Sequence, residues 1–500
     1  MMRMLLKLIT GGLVALACLA PRPMAAQAAN IEEQARRQYE SGLEFYRAGR
    51  FLEALKDFQT VAEGYATSTV ADDAMLAIAE YQLDVLHDPI AARTSAETLV
   101  KRYATGDAAP MGYVIAGRAT LALDPSPVGL DSALASFDRV PRLFPRSDAV
   151  APSLYYAAEI DRRAGRVSDA IDKLRRVAQF YPRSTWAARA SLLESSLLLT
   201  DGQPQEAMRA LQRVVRRYGS GAEASTARAW NTTLYRLYVR PPLQPPYVAS
   251  GRSIGGPGGR LKDVESIALA PDGKLGVATR SGVLLIDDKG AISRQAAAVD
   301  ARQLSFDDRG RLFVVQKTIV GREGDKGMQR LALTASSSAG PKLLQDISAG
   351  VRLSTGELLV ADREARLVAR FDTTGKSLGR FAAGRIARMA VGRSDEVALL
   401  DSETKSVIWT DRTGKVLAKI PARGAGYVLE APADLAFDVF QHLYVLDKTQ
   451  VVVFAPGGRP VATFTPDAQS AFRSGSALAL DSAARLYIYD DAQGRVLVYQ

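Results

Sequence analysis

Four aspartates stand at one register of a repeating unit. Asp362, Asp401, Asp447 and Asp490 each close a short apolar run, in ELLVAD, EVALLD, HLYVLD and RLYIYD. Carboxylates that recur in this way can converge on a divalent cation, which takes several oxygen ligands. They can also cap the turn after each run by accepting backbone N–H groups, and the strand-end position favours capping. The rest of the chemical inventory is thin. The two histidines, His87 and His442, lie in different parts of the chain, and the single cysteine, Cys18, sits inside an apolar leader. No phosphate-binding loop, cysteine nucleophile or histidine-paired serine can be traced. The expectation is a protein that is not an enzyme, with no catalytic residues, no cofactor and no metal site.

The elements that hold those aspartates alternate with period two from Leu261 onward. Six β runs begin at Leu275, Leu312, Leu358, Val397, Leu443 and Leu486, in steps of 37, 46, 39, 46 and 43 residues. Each is preceded by another short apolar run, and most are followed by a third, such as GVLLID or RLVARFD. A glycine turn and a fourth strand come next, with Gly290, Gly375, Gly414 and Gly458 at one register. Four short strands repeated about every 42 residues make a β-propeller blade, so 261–500 holds six. The chain ends inside the third strand of the sixth blade. The missing strand is expected from Tyr247–Ile254, which closes the ring and removes an open edge. The second blade departs from the pattern between Val320 and Pro341.

The blade consensus resembles the NHL repeat, most fully in LLVADREARLVARFDTTGKSLGRF of the third blade. That resemblance implies a structural aspartate at the strand end. Some six-bladed relatives are enzymes. Their sites use metal-binding histidines, or Asn, Asp and Glu around a divalent cation. This chain has one histidine in the propeller and no asparagine from residue 241 onward, so those sites cannot form in their usual shape. A carboxylate-bound cation that binds or hydrolyses a small molecule or glycan stays as the alternative.

Upstream, one phrase recurs five times. Ala54, Ala92, Ala133, Ala170 and Ala207 are followed seven residues later by Val61, Leu99, Val140, Val177 and Val214. Eleven residues later come Tyr65, Tyr103, Phe144, Tyr181 and Tyr218. Offsets of four, seven and eleven keep one helix face apolar, and a step of 37 to 41 residues means stacked helical hairpins. Helix A of the first hairpin is expected over Glu33–Ala48 and helix B over Leu52–Tyr65, with a further capping helix over Ala222–Val239. Gly42, Phe45, Ala54, Phe58 and Pro182 carry a resemblance to the tetratricopeptide repeat, in the form found in Gram-negative envelope proteins. In that family helix A lines the binding groove. The register implies a protein-binding groove of Arg36, Tyr39, Tyr46, Tyr81, Arg118, Tyr155, Arg162 and Arg189. Aromatics and arginines suit an extended peptide or helix with acidic groups.

The expected architecture is multidomain α + β: an all-α solenoid over 31–239, a Pro/Gly-rich linker over 240–260 holding the closing strand near 247–254, and an all-β propeller over 261–500. Residues 1–28 read as a signal peptide, with Arg3 and Lys7 before an apolar stretch and an Ala26-Gln27-Ala28 cleavage site. The alternative is lipidation at Cys18 behind Ala15-Leu16-Ala17, and only that would tie the chain to a membrane. The expected location is periplasmic or outer-membrane-associated. Residues 31–240 hold 27 basic and 26 acidic residues and residues 241–500 hold 34 and 28, so nucleic acid is not an expected partner. The reading is an exported scaffold for envelope proteins or peptides, in an assembly, secretion or polysaccharide-export complex, with peptidoglycan or another glycan as a further partner.

Overall fold

The computed structural model describes residues 24–500 apart from 220, 241–244, 256–258, 288, 308–309, 325–326, 338–339 and 467–471. Most of the expected signal, with Cys18, and part of the 240–260 segment fall outside the described residues. Among the described residues, eleven helices are followed by a six-bladed propeller. The chain divides into two compact units, Met1–Val150 and Ala151–Gln500. The division falls inside the helical array and not at 240–260, because the later helices pack on the propeller.

The first unit holds α1 (Met24–Arg47), α2 (Phe51–Gly64), α3 (Ala71–Asp84), α4 (Pro89–Arg102), α5 (Ala109–Leu123) and α6 (Pro127–Leu143). The first helix begins well before Glu33, where the alanine-rich MAAQAAN favours helix. The repeated phrase forms the core: Ala54, Phe58, Val61, Ala92, Ala96, Leu99, Ala133, Phe137 and Val140 are all buried. Two glycines allow the close approach of paired helices. A Cβ at Gly42 would stand 2.7 Å from the Phe58 ring, and one at Gly117 2.6 Å from Phe137. The aromatic eleven places on ends each second helix. Tyr65, Tyr103 and Phe144 are C-caps, with their N–H groups on Val61, Leu99 and Val140. The Tyr103 hydroxyl then donates to the carbonyl of Ala66 in the preceding hairpin at 2.7 Å.

The second unit holds α7 (Val150–Arg163), α8 (Val167–Phe180), α9 (Trp186–Thr200), α10 (Pro204–Tyr218) and α11 (Ala222–Tyr238). Its helical core repeats the phrase with Ala170, Leu174, Val177, Ala207, Leu211 and Val214. Two buried carboxylates tie these helices together. Asp161 takes Arg166 at 2.8 Å and Lys173 at 2.6 Å, and Glu194 takes Arg175 at 3.1 Å and Arg213 at 3.2 Å.

The inner strands of the six blades are Val264–Leu269, Ala301–Phe306, Ile347–Arg352, Ile386–Val391, Pro432–Phe437 and Gly475–Leu480. Each pairs antiparallel with a second strand, such as Leu358–Asp362, which lies between neighbouring sheets and is buried along its whole length. The strand Ala249–Ile254 pairs with the last strand, Arg495–Tyr499, setting Ser253 opposite Leu497. It supplies the fourth, outermost strand of the sixth blade, so the last strand is paired on both sides. The excursion in the second blade contains an added hairpin, Thr334–Ser337 with Gly340–Leu343.

Candidate functional site

The helix A register places its residues in two settings. In the first unit Tyr39 packs on Phe58 at 5.6 Å, and Tyr46 and Tyr81 meet the two sides of Phe51 at 5.3 and 5.8 Å. Tyr81 is only 5% exposed, so it serves as a packing ring. Tyr39 and Tyr46 remain half-buried at the surface. Burial, then Asp73, Glu80 and Asp72, push the Tyr39 hydroxyl up to about 12. Burial, Glu80 and Asp84 push Tyr46 in the same direction. Arg118 is spent on Asp84 through two contacts, at 2.5 and 3.3 Å, and Arg36 stands 3.6 Å from Glu32. The face around the two tyrosines is therefore carboxylate-rich. Asp72, Asp73 and Asp107 have oxygens within 4.8 Å of one another, the one such trio among the described residues. Burial and the two neighbouring carboxylates push Asp73 up to about 6.

In the second unit Tyr155 and Arg162 of the same register face the propeller, whereas Arg189 stays exposed. Arg162 donates to the carbonyl of Arg393 at 2.7 Å while Glu159 holds its other nitrogens at 2.8 and 3.0 Å. Tyr155 packs on Trp186 at 5.1 Å, and burial followed by Glu159 pushes its hydroxyl up to about 12. Arg189 lies over the Trp186 ring at 5.3 Å and 3.4 Å from Glu223. Tyr155 and Arg162 line a cavity of about 730 Å³ with the C-terminal ends of the inner strands and their turns. Helix α11 docks on the same turns. Trp230 donates to the Ser482 carbonyl at 2.6 Å and meets Phe440 edge to face at 4.9 Å. The Tyr238 hydroxyl meets Nε2 of the fully buried His442 at 2.7 Å, and Nδ1 of that ring meets Asp438 at 2.7 Å. Thus His442 is a structural link between helix and blade. Sequence reading had no access to it, since its two partners lie on either side of the domain boundary it drew.

The four strand-end aspartates are buried and bind main chain. Asp362 accepts from Gln345 and Ala365 at 3.0 Å each, and Asp447 from Glu430 at 3.0 Å and Ala431 at 2.6 Å. Asp490 accepts from Arg473 at 3.1 Å, Ser474 at 2.9 Å and Ala492 at 3.2 Å, and Asp401 from Glu403 at 2.9 Å. Three of them clamp the segment entering their own blade, beyond the turn capping expected of them.

The middle of the ring is crossed by side chains from different blades. Gln303 donates to the Met389 carbonyl at 2.7 Å and accepts from Gly350 at 3.3 Å. Arg388 donates to the Glu265 carbonyl at 2.7 Å, and Asp434 accepts from Leu478 at 2.9 Å. Burial pushes Asp434 up to about 6, against the pull of Arg388.

The mouth at the N-terminal ends of the inner strands has a different character. A cavity of about 400 Å³ is lined by Arg280, Arg302, Lys317, Arg363 and Arg388, with Glu265 and Asp300. Arg280, Lys317 and Arg363 immediately follow the second strands of the first three blades. That register, basic at three successive blades, is the signal by which sequence reading could have found the site.

The tetratricopeptide-repeat family model matches residues 153–184. No curated protein matches the chain. Solved structures similar to the propeller part include a streptogramin B lyase, 10% identical with a TM-score of 0.39 over 50% of this chain and 96% of that one. Virginiamycin B lyase from Staphylococcus aureus is 12% identical with a TM-score of 0.37, over 48% and 81%. A gluconolactonase from Xanthomonas campestris is 17% identical with a TM-score of 0.39, over 52% and 98%. At this distance the likenesses bear on neither activity nor ligand.

Proposed function

We propose that the protein is an exported cell-envelope scaffold, which binds partner proteins through the helices of its first unit and through the propeller, in an assembly, secretion or polysaccharide-export complex. The observation that carries this reading is the division of labour within one helical register. Tyr155 and Arg162 are used inside the second unit, whereas Tyr39, Tyr46 and Arg36 stay at the surface of the first. Tetratricopeptide and propeller modules generally serve protein–protein contact, and aromatic side chains supply contact area at low entropy cost.

The carboxylates favour a basic partner. Asp72, Asp73, Glu80 and Asp84 surround Tyr39 and Tyr46, and residues 31–150 carry 12 basic against 18 acidic residues. An acidic aromatic face selects a segment bearing lysine or arginine, by charge pairing and by cations over tyrosine faces.

The test is photo-crosslinking in living cells from position 46, with position 176 on the exposed side of α8 as control. A discrete protein captured from 46 and absent from 176 is the expected result, together with recovery of the chain in the envelope fraction. Identical capture from both positions, or recovery in the cytoplasm, would refute the scaffold.

A further inference from the structure

We infer that the mouth of the propeller at the N-terminal ends of its inner strands binds an anionic carbohydrate: a hydroxyl-rich ligand that carries a carboxylate or a phosphate. Five cationic side chains line the cavity there, and among the described residues three carboxylates pair with four of them: Asp346, Glu265 and, at 4.0 Å from Arg388, the buried Asp434. Asp346, behind the wall, is shared by Arg302 and Arg363 at 2.8 Å each. Glu265 is shared more loosely, 3.7 Å from Arg280 and 3.9 Å from Arg388. Asp300 lines the cavity, yet no ion pair joins it to the five cations among the described residues. Lys317 likewise has no carboxylate within ion-pair distance among the described residues, and Nε of Arg388 is buried without a hydrogen-bond partner. Asp346 and Glu265 are each shared between two guanidiniums and Lys317 has no carboxylate among the described residues, which leaves positive charge that water or an anion must satisfy.

The shape of the donors points to the ligand. Guanidinium forks match the oxygens of carboxylate and phosphate in bidentate fashion, and Lys317 adds a point charge. The acceptors Glu265 and Asp300 and the hydroxyl of Ser348 are suited to sugar hydroxyls. Ser348 donates to the Ile386 carbonyl at 2.5 Å, so its lone pairs are left to accept. The backbone supports the arrangement. Asp300 is held at φ 55°, its N–H on the Arg280 carbonyl at 3.0 Å, which ties the loops of two blades together at the cavity rim. A cavity of about 400 Å³ lies in the usual range of small-ligand sites, roughly 300–1,000 Å³. The inference stands apart from partner binding by the first unit, since it uses no residue of the helices.

Calorimetric titration of the purified chain with glucuronate, glucose 6-phosphate and glucose tests it. At least one anion is expected to bind in the millimolar range or tighter, more weakly as salt is added, while glucose does not bind. Binding by glucuronate alone would assign the carboxylate, and binding by glucose 6-phosphate alone the phosphate. The double variant Arg280→Ala, Lys317→Ala removes two solvent-exposed cations outside the core and is expected to weaken binding about tenfold or more. Glu265→Gln removes a competing carboxylate and is expected to tighten binding, a gain that misfolding cannot imitate. The inference is overturned if neither anion binds at about 10 mM, if glucose binds equally, or if both variants bind as the parent does.

Discussion

The helices before Val150 and those after it are built from one phrase but used differently. Both sets bury the same alanine and aliphatic positions, so their hairpins are held by equivalent cores. Their outward residues diverge. In the first unit Tyr39 and Tyr46 stand among carboxylates, and residues 31–150 have six more acidic than basic residues. In the second unit Arg162, Trp230 and Tyr238 hold the helices on the propeller, and residues 151–500 carry 49 basic against 36 acidic residues. A repeat fold fixes where a side chain points but leaves open what it meets. The second set has its partner within its own unit, whereas in the proposed scaffold the first set keeps its surface for another molecule.

The sharpest way to break this comparison is to damage each core and ask which unit responds. All three tryptophans, Trp186, Trp230 and Trp409, lie in the second unit, so their fluorescence follows that unit alone, whereas far-UV circular dichroism follows the helices of both. Phe58→Ala is expected to destabilise the first unit by about 3–5 kcal/mol, and Trp230→Ala the second by a similar amount. Phe58→Ala should move a dichroism transition and leave the fluorescence transition in place. If both shift together, the two units unfold as one and the division at Val150 has no energetic meaning.

Next in size is the buried contact of α11. Burial and Asp438 push the Tyr238 hydroxyl well above its ordinary range, which keeps it neutral and able to donate to His442. Tyr238→Phe strands a buried ring nitrogen, at a cost of about 1–3 kcal/mol in the fluorescence transition. Tyr46→Phe, in the first unit, should stay within about 0.5 kcal/mol, since Tyr46 packs through its ring.

Much of this was legible in the residues because it is local and periodic. The offsets of four, seven and eleven mark which positions are buried, and Gly49, Gly165 and Gly202 mark the ends of three of the A helices. Gly49 adopts φ 73°, and the following N–H of Arg50 returns to the Phe45 carbonyl at 2.9 Å. Blade strands alternate by the same kind of local rule, so the fold class follows from the sequence. The site does not. Arg162 meets a main-chain carbonyl at Arg393, and Tyr238 meets a histidine 204 positions away; neither partner has a sequence signature. Of the mouth cations, Arg280, Lys317 and Arg363 share a register after the second strands, but Arg302 and Arg388 stand outside it, and the unequal spacing of the five over four blades obscures the set. The charge contrast was masked for a different reason. Counted to residue 240, acidic and basic helices cancel, and only the division at Val150 separates them.

The acidic face offers a pH test. Asp73 sits at about 6 in the folded chain, raised by burial, Asp107 and Asp72 above its ordinary value of 3.8. The native state therefore holds this proton more tightly than the unfolded chain does. The stability it contributes is fully present below the unfolded value and is lost as pH rises through about 6. Asp73→Asn should remove that loss and raise first-unit stability at pH 7 by about 1 kcal/mol, after allowance for solvent screening at this half-exposed site. The effect should appear in dichroism and be absent from fluorescence. A pH slope between 4 and 6 that is unchanged in the variant would mean that other groups set it.

The smallest expected effect separates the two arginines that share the helix A register. Arg118 and Asp84 pair at the surface with side chains 26% and 45% exposed, whereas Arg162 is 11% exposed and bonds a propeller carbonyl. An exposed pair contributes about 0–1 kcal/mol and weakens with salt. Removing Arg162 also leaves the Arg393 carbonyl without this donor, which costs about 0.5–1.5 kcal/mol and depends little on salt. Arg118→Ala should thus shift the dichroism transition slightly, with the shift vanishing at about 1 M salt. Arg162→Ala should shift the fluorescence transition by more, and by the same amount at both ionic strengths. Equal, salt-sensitive losses at the two positions would show that the register is used alike throughout and that the contrast between the units lies in charge alone.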